Sequence, residues 1–149
     1  MARVTRSSEI EAGPEYIWQF IEDPQKELTW RQPEVTDLEI VGDEPVSVGT
    51  RYRGRTEMMG VTDEYTNEII EYDPPHRISW RAISSTGMVA GSGYYQLRPI
   101  GGGKTRFEIS LEYKPQSMLG RLVEPLVPLL AGPVLQRFAQ KLKNVSEAE

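Results

Sequence analysis

His76 is the single histidine of the chain and the first residue to consider for catalysis or metal binding. It lies in "DPPHR", where Pro74 and Pro75 are typical of a turn between strands, so we expect its imidazole at an exposed tip. The sequence has no cysteine, which excludes disulfides, thiolate metal sites and a cysteine nucleophile. We therefore predict no Ser-His-Asp arrangement, no catalytic residues of this kind, no metal site and no cofactor.

Two glutamates are the next candidates, because Glu64 and Glu68 are four residues apart and share one face of a predicted strand. One of them facing inward would be available as a general acid or base. The opposite face offers Tyr65, Asn67 and Ile69 for the interior, so we expect both glutamates to face water. The segment "GGGK" at 101–104 lacks the spacing and following helix of a phosphate-binding loop and predicts a hairpin turn.

Arg6 is the one charge that strict alternation directs toward a covered face, because it shares a parity with Val4, Ser8 and Ile10. A buried guanidinium needs an acceptor, and a ligand carboxylate would supply one. The alternative, which we favour, is a frayed or bulged terminal strand that leaves Arg6 in water.

Composition narrows the class of protein further. The chain has 149 residues, enough for one domain over 1–149, and its 22 acidic and 17 basic residues give a net charge of −5. A negative chain has no long-range attraction for a phosphate backbone, so nucleic acid is not expected as a partner. The first residues lack an apolar signal core, and no unbroken apolar run approaches the roughly 18 residues of a membrane span. We expect a cytoplasmic protein without integral membrane association.

The elements that position these residues follow from periodicity and from turn signals. Alternation predicts a first strand to Ile10, and the helical spacing of Ile17, Phe20 and Ile21 behind Pro14 predicts a short helix. A second short helix reaches Trp30. Six further strands are predicted at 35–41, 49–59, 62–72, 76–84, 87–98 and 104–114. The short polar breaks between these strands indicate an antiparallel meander.

One face of these strands is predicted to be covered. In "TRFEISLEY", Phe107 and Ile109 alternate with charged or hydroxyl residues, so one face is wet and the other apolar. The covered parity of the sheet combines large side chains with glycines: Tyr52, Trp80, Tyr95, Leu97, Gly54, Gly91 and Gly93. Closely packed sheet faces favour Val, Ile and Leu. This mixture of large side chains and glycines therefore indicates unfilled space next to the large side chains.

A long amphipathic helix is predicted to cover that face. Apolar residues recur every three or four positions from Leu119 to Val145, and Ser117 is a suitable N-cap. Gly132-Pro133 predicts a stop and restart of this helix. Pro125 and Pro128 lie within the apolar stripe and predict a local bend, unless the helix begins at Pro125.

Several local patterns in this order resemble a known family. They are "IEAGPEYIWQFIEDPQ", Trp30 before the second strand, "VGTRYR", "EYDPPHRISW", "GGGKTRFEISLEY" and "LGRLVEPLVPLL…FAQKLK". Together they resemble the polyketide cyclase/dehydrase and lipid-transport family of the START/Bet v 1-like (SRPBCC) superfamily, over nearly the whole chain. The resemblance implies an α+β helix-grip fold, in which a curved antiparallel sheet of about seven strands wraps around a long C-terminal helix, with two short helices after the first strand.

The resemblance also implies a cavity between sheet and helix that holds an apolar or amphipathic small molecule. The residues expected to line it are Tyr52, Met58, Trp80, Tyr95, Phe107, Leu126, Leu130 and Phe138. The alternative is that these side chains fill a packed core. The leading function is binding or carriage of a lipid, isoprenoid, quinone or polyketide-like ligand. A cyclase or dehydratase using the same cavity, and a protein-interaction module, remain open, since one fold hosts many functions.

Overall fold

The computed structural model describes residues 2–43, 45–58 and 60–148, and for Met58 it describes the backbone alone. The elements, in chain order, are β1 (Ala2–Ile10), α1 (Pro14–Glu22), α2 (Pro24–Arg31), β2 (Val35–Val41), β3 (Arg51–Met58), β4 (Val61–Asp73), β5 (Arg77–Ser85), β6 (Val89–Gly101), β7 (Lys104–Pro115), α3 (Met118–Val123) and α4 (Val127–Glu147). Every predicted strand and both short helices are confirmed.

The seven strands form one antiparallel sheet in the order β1-β7-β6-β5-β4-β3-β2. Strands β2 to β7 are a meander, as the short turns predicted, and β1 pairs with β7 on the far side. Helices α1 and α2 therefore carry the chain from one edge of the sheet to the other. With α4 packed over the sheet, this is the α+β helix-grip fold that the resemblance implied.

The two faces of the sheet differ as the alternation predicted. Phe107 and Ile109 are fully buried under the helices. On the opposite face, Arg55 contacts Glu64, and Glu68 lies between Arg51 and Arg81. Both glutamates thus belong to surface ion pairs, and the expectation that they face away from the interior is confirmed. Such exposed pairs contribute little to stability and mainly keep this face hydrated.

The C-terminal helix is interrupted, although at a different place from one of our predictions. Ser117 caps α3 by accepting from the Gly120 amide at 3.0 Å, as expected. A 3-10 turn at Glu124–Leu126 separates α3 from α4; Pro125 lies within this turn, and Pro128 lies in the first turn of α4. The predicted stop at Gly132-Pro133 is wrong, because α4 continues through Pro133. Pro133 and Leu129 are both exposed, so this break in the hydrogen bonding of α4 lies on the solvent side of the helix.

Arg6 lies on the covered side of the sheet, as strict alternation directs, but it is only half-buried there. Strand β1 pairs with β7 without a register shift, so the frayed or bulged strand that we favoured is wrong. Arg6 Nη1 donates to the Thr5 carbonyl at 2.8 Å, and a Cβ added at Gly132 of α4 would lie 2.5 Å from Nη2. A larger residue at position 132 would therefore require the flexible Arg6 side chain to move.

Within the described residues, one helical stretch, Met118–Glu147, is long and apolar enough by length and composition to cross a membrane. Our count of unbroken apolar runs missed it, because charged residues interrupt the stretch. Its buried side chains, including Leu135, Phe138 and Leu142, pack on the sheet and the short helices. We therefore interpret it as the core helix of this fold, which passes the same test.

Replacing Pro133 with alanine is expected to stabilise the protein. An interior proline costs about 3 kcal/mol through its lost hydrogen bond and ring clash, whereas removing proline frees the unfolded chain by about 0.4–1 kcal/mol. We expect Pro133→Ala to raise the free energy of unfolding by about 2–2.5 kcal/mol in urea titrations. Pro128→Ala, at an exposed first-turn position, is the matched control and should give no gain. An equal gain for both variants would contradict this account.

Candidate functional site

A cavity of about 280 Å³ lies between the covered face of the sheet and the helical segment from α3 to α4. Its wall is mostly apolar, with a small number of polar side chains. The sheet contributes Thr56, Tyr65, Asn67, Trp80, Ala82, Gly91, Leu111 and Tyr113; the helices contribute Val123, Val127, Leu130, Ala131, Val134, Leu135 and Phe138; the end of α2 and the following segment contribute Arg31, Glu34 and Val35.

The space exists because two neighbouring strands separate. Pairing of β5 with β6 ends at Trp80 and Gly93, so the ends of these strands nearest their connecting turn diverge. A single side chain bridges the gap, where the Ser92 hydroxyl accepts from the Ala82 amide at 3.0 Å. The sheet therefore does not close against α4 at this end, and Ala82 and Gly91 become cavity wall.

Of the three glycines on the covered face, only one leaves room for a ligand. The Tyr65 ring crosses over Gly54, where an added Cβ would lie 2.6 Å from it. A Cβ added at Gly93 would lie 2.1 Å from the Ser110 carbonyl oxygen and 2.6 Å from a Leu111 methyl. Gly91 lines the cavity, and a Cβ added there would lie 3.5 Å from the Tyr113 ring. The gaps expected at Gly54 and Gly93 are thus filled, the first by a side chain and the second by the backbone and side chains of the neighbouring strand.

A buried charged cluster forms one end of the cavity. Arg31 Nη1 donates to Glu27 Oε2 at 3.2 Å and to the Tyr95 hydroxyl at 2.7 Å. The Tyr95 hydroxyl in turn donates to Glu27 Oε2 at 2.7 Å. The Arg31 guanidinium also lies 5.0 Å from the centre of the Phe138 ring. Each of these contacts fixes the guanidinium at the boundary between core and cavity.

Burial sets the protonation of this cluster. It raises the pKa of the Glu27 carboxyl, against the opposing effects of the Arg31 charge and the Tyr95 hydroxyl. Burial lowers the pKa of Arg31, but Tyr95, Tyr65 and Glu27 outweigh it and the net shift is upward, so the guanidinium stays charged. Burial also raises the pKa of Tyr113 to about 12. The cavity therefore presents a neutral phenol beside a permanent cation.

Glu34 is a second buried carboxyl at the same end, 8% exposed. Its Oε2 accepts from Arg137 Nη2, whose side chain is half-exposed on α4. Its Oε1 is buried and, like Arg31 Nε, has no hydrogen-bond partner in the described part of the chain. Buried polar atoms without partners are uncommon in folded proteins, so both atoms require an explanation.

The predicted lining residues fall into five groups. Trp80, Leu130 and Phe138 line the cavity. Tyr52 and Tyr95 line a smaller space of about 40 Å³ behind it, which Arg31 and Trp80 also border. Phe107 is fully buried and packs on Trp30, away from both spaces, and Leu126 is 52% exposed on the outer side of the helix. The side chain of Met58 lies outside the described residues.

Sequence reasoning missed Glu27, Arg31 and Glu34. The four-residue spacing of Glu27 and Arg31 places them on one face of α2, and that spacing is visible in the sequence. Charged residues at this spacing are normally a hydrated pair, and the apolar pattern of this short helix is too weak to assign a buried face. Their burial follows from Trp30, which directs the same turn of α2 into the core.

Two other features lie apart from the cavity. His76 is exposed in the turn before β5, as predicted. A wider groove of about 740 Å³ runs over the charged face of β2, β3 and β4. Its arginines already bind carboxylates, Arg53 to Glu39 and Arg55 to Asp37 and Glu64. This groove is a hydrated surface rather than a site with free charges.

Removing one partner of the Glu27–Arg31 pair is expected to destabilise the protein more than removing both. A buried pair that loses one member leaves an uncompensated charge, at a cost of about 3–5 kcal/mol, whereas replacing both with apolar residues is often close to neutral. Glu27→Met and Arg31→Met should each lower the free energy of unfolding by that amount, and the double variant by less than either. A double-mutant cycle in urea measures this, and additive losses would contradict it.

Comparison with known proteins identifies the relationship. The sequence pattern of the family described as "Polyketide cyclase / dehydrase and lipid transport" matches residues 1–147. Among curated proteins, none matches this chain at a significant level.

Solved structures share the fold at low sequence identity. TTHA0849 from Thermus thermophilus is 23% identical with a TM-score of 0.80 over 97% of both chains. The Zhui aromatase/cyclase from Streptomyces sp. R1128 is 12% identical with a TM-score of 0.83, over 98% of this chain and 93% of that one. A START superfamily protein from Mycobacterium smegmatis is 19% identical with a TM-score of 0.80 over 97% of both chains. With its sequence pattern matched almost end to end, the chain belongs to the polyketide cyclase/dehydrase and lipid-transport family of the START-like SRPBCC superfamily.

Proposed function

We propose that this protein binds a small apolar or amphipathic molecule between the sheet and α4, and acts as its carrier. The observation that supports this most directly is the mostly apolar cavity of about 280 Å³ with a few polar groups on its wall. Ligand sites commonly combine these features and range from about 300 to 1,000 Å³, so this cavity suits one small molecule. A lipid, isoprenoid, quinone or polyketide-like ligand of modest size fits that description.

The helical side of the cavity supports entry and exit of such a ligand. Leu130 both lines the cavity and is 40% exposed, so the wall reaches the surface at this point. Leu126, four residues before it, is 52% exposed. Leu126 and Leu130 thus offer exposed apolar surface where the wall reaches solvent, which favours the approach of an apolar molecule.

The second candidate function is a cyclase or dehydratase that uses the same cavity, in keeping with the Zhui aromatase/cyclase among the similar structures. The observation in its favour is that a carboxylate, Glu34, and a neutral phenol, Tyr113, both line the cavity. Groups of these types exchange protons with a bound polyketide. Native mass spectrometry of the purified protein separates the two functions, because a carrier retains its ligand unchanged whereas an enzyme converts an added substrate.

A charge introduced at the opening is expected to block binding. We expect the neutral fluorescent probe N-phenyl-1-naphthylamine to bind the folded protein at one saturable site. Leu130→Lys places an ammonium group against the apolar wall and should weaken this binding at least about tenfold. Leu129→Lys adds the same charge one residue away, on the exposed side of α4, and is the matched control that should bind as the unaltered protein does. Equal affinity for all three, or no saturable binding, would remove the carrier proposal.

Trp80 is expected to matter more for binding than for stability. Deleting a close-packed aromatic side chain costs about 3–5 kcal/mol, but Trp80 borders both cavities and is only half-buried. Trp80→Ala should therefore cost less than that range in urea titrations and should weaken probe binding. Phe107→Ala, outside both cavities, should show the full loss of stability and unchanged affinity. The reverse pattern would assign Trp80 to the core.

A further inference from the structure

At the charged end of the cavity, one hydrogen-bond donor and one acceptor have no partner among the described residues. Arg31 uses Nη1 for Glu27 and Tyr95, and its Nε–H has no partner in the part of the chain that the structure describes. Glu34 uses Oε2 for Arg137, and its Oε1 is likewise without one. Arg31 and Glu34 are three residues apart and both line the cavity. Leaving a buried donor or acceptor unpaired is costly, so a ligand that satisfies both gains affinity.

The charges at this end are already compensated by protein groups. Glu27 neutralises Arg31, and Arg137 neutralises Glu34. Asp63, also on the cavity wall, accepts from the Ser85 hydroxyl at 2.8 Å and from the Thr86 amide at 3.1 Å. The wall thus has no cation left over for an anionic ligand, and its two carboxyl groups, Glu34 and Asp63, repel one. A cationic ligand would meet the Arg31 guanidinium and would have no acceptor for its Nε–H.

Building on the proposed function, we infer that the natural ligand has an uncharged hydroxyl-type head group, phenolic or alcoholic, at the Arg31–Glu34 end of the cavity. A hydroxyl accepts from Arg31 Nε–H and donates to Glu34 Oε1, whereas an ether only accepts and a carboxylate adds a charge that nothing balances. The apolar body of the ligand then extends along α4 toward Leu130. Both protein atoms are shielded from solvent, so binding of the head group requires both side chains to turn toward the cavity.

Four naphthalene derivatives and the parent hydrocarbon test this head group with the apolar body held constant. They are 1-naphthol, 1-methoxynaphthalene, 1-naphthoate, 1-naphthylmethylammonium and naphthalene, titrated at neutral pH and followed by displacement of N-phenyl-1-naphthylamine. We expect 1-naphthol to bind about tenfold more tightly than the ether and the hydrocarbon, since a hydrogen bond to a charged group is stronger than one between neutral groups. It should also bind at least about tenfold more tightly than either charged probe.

A variant locates the effect at Glu34. Glu34→Met removes the acceptor and should abolish most of the difference between 1-naphthol and 1-methoxynaphthalene, while the binding of naphthalene itself stays within about twofold. Glu39→Met removes a carboxylate from an exposed ion pair on β2 and is the matched control, which should keep the full difference. The comparison of probes on the unaltered protein stands even if Glu34→Met folds poorly.

The outcomes separate this inference from the proposed function. Tighter binding of the carboxylate or the ammonium probe, or equal binding of 1-naphthol and its methyl ether, overturns the head-group assignment and leaves the carrier proposal standing. A difference that survives in Glu34→Met as it does in Glu39→Met also overturns the assignment. Failure of every probe, naphthalene included, to bind at a saturable site overturns both.

Discussion

The packing of the Trp30 side chain is the interaction on which the arrangement of helices and sheet depends. Its indole is fully buried, and its ring packs edge-on against Tyr95 of β6, Phe107 of β7 and Phe138 of α4, with centroids 5.3, 5.8 and 6.4 Å away. Its Nε1–H donates to the Phe20 carbonyl of α1 at 2.8 Å, so the one polar atom of the ring is satisfied. A single side chain thus joins α1, α2, the sheet and α4.

The packing around Trp30 closes the space between the sheet and α4 at one end only. The part of α4 that includes Phe138 and Leu142 lies against the aromatic cluster and is buried. Toward α3, the separated ends of β5 and β6 offer no comparable surface, and the space between sheet and helix stays open as the cavity. The charged cluster of Glu27 and Arg31 lies at the junction, because the turn of α2 that buries Trp30 also buries its neighbours.

The order of the helices and strands, and which face of the sheet is apolar, could be predicted from the sequence. Period-2 alternation separates Phe107 and Ile109 from their charged neighbours, and it depends only on the geometry of an extended chain. The N-cap at Ser117 and the turn at His76 are equally local, since each rests on the side chains of a few adjacent residues. The stop expected at Gly132-Pro133 used the same local reasoning and was wrong: α4 continues through both residues, and Gly132 lies buried next to the Arg6 guanidinium of a distant strand.

The cavity itself was decided by tertiary structure. Periodicity places Trp80, Tyr95 and Phe107 on one covered face, but whether each meets a ligand, a second cavity or solid core depends on where α4 and the neighbouring strands lie. The burial of Glu27 and Arg31 is of the same kind, since a charged residue on a short helix is ordinarily hydrated, and so is that of Glu34 in the turn before β2. The amino-acid sequence by itself determined which face of each element is apolar, because that is a property of one strand or helix. Which apolar faces meet, and where they fail to meet, depended on contacts between residues far apart in the chain.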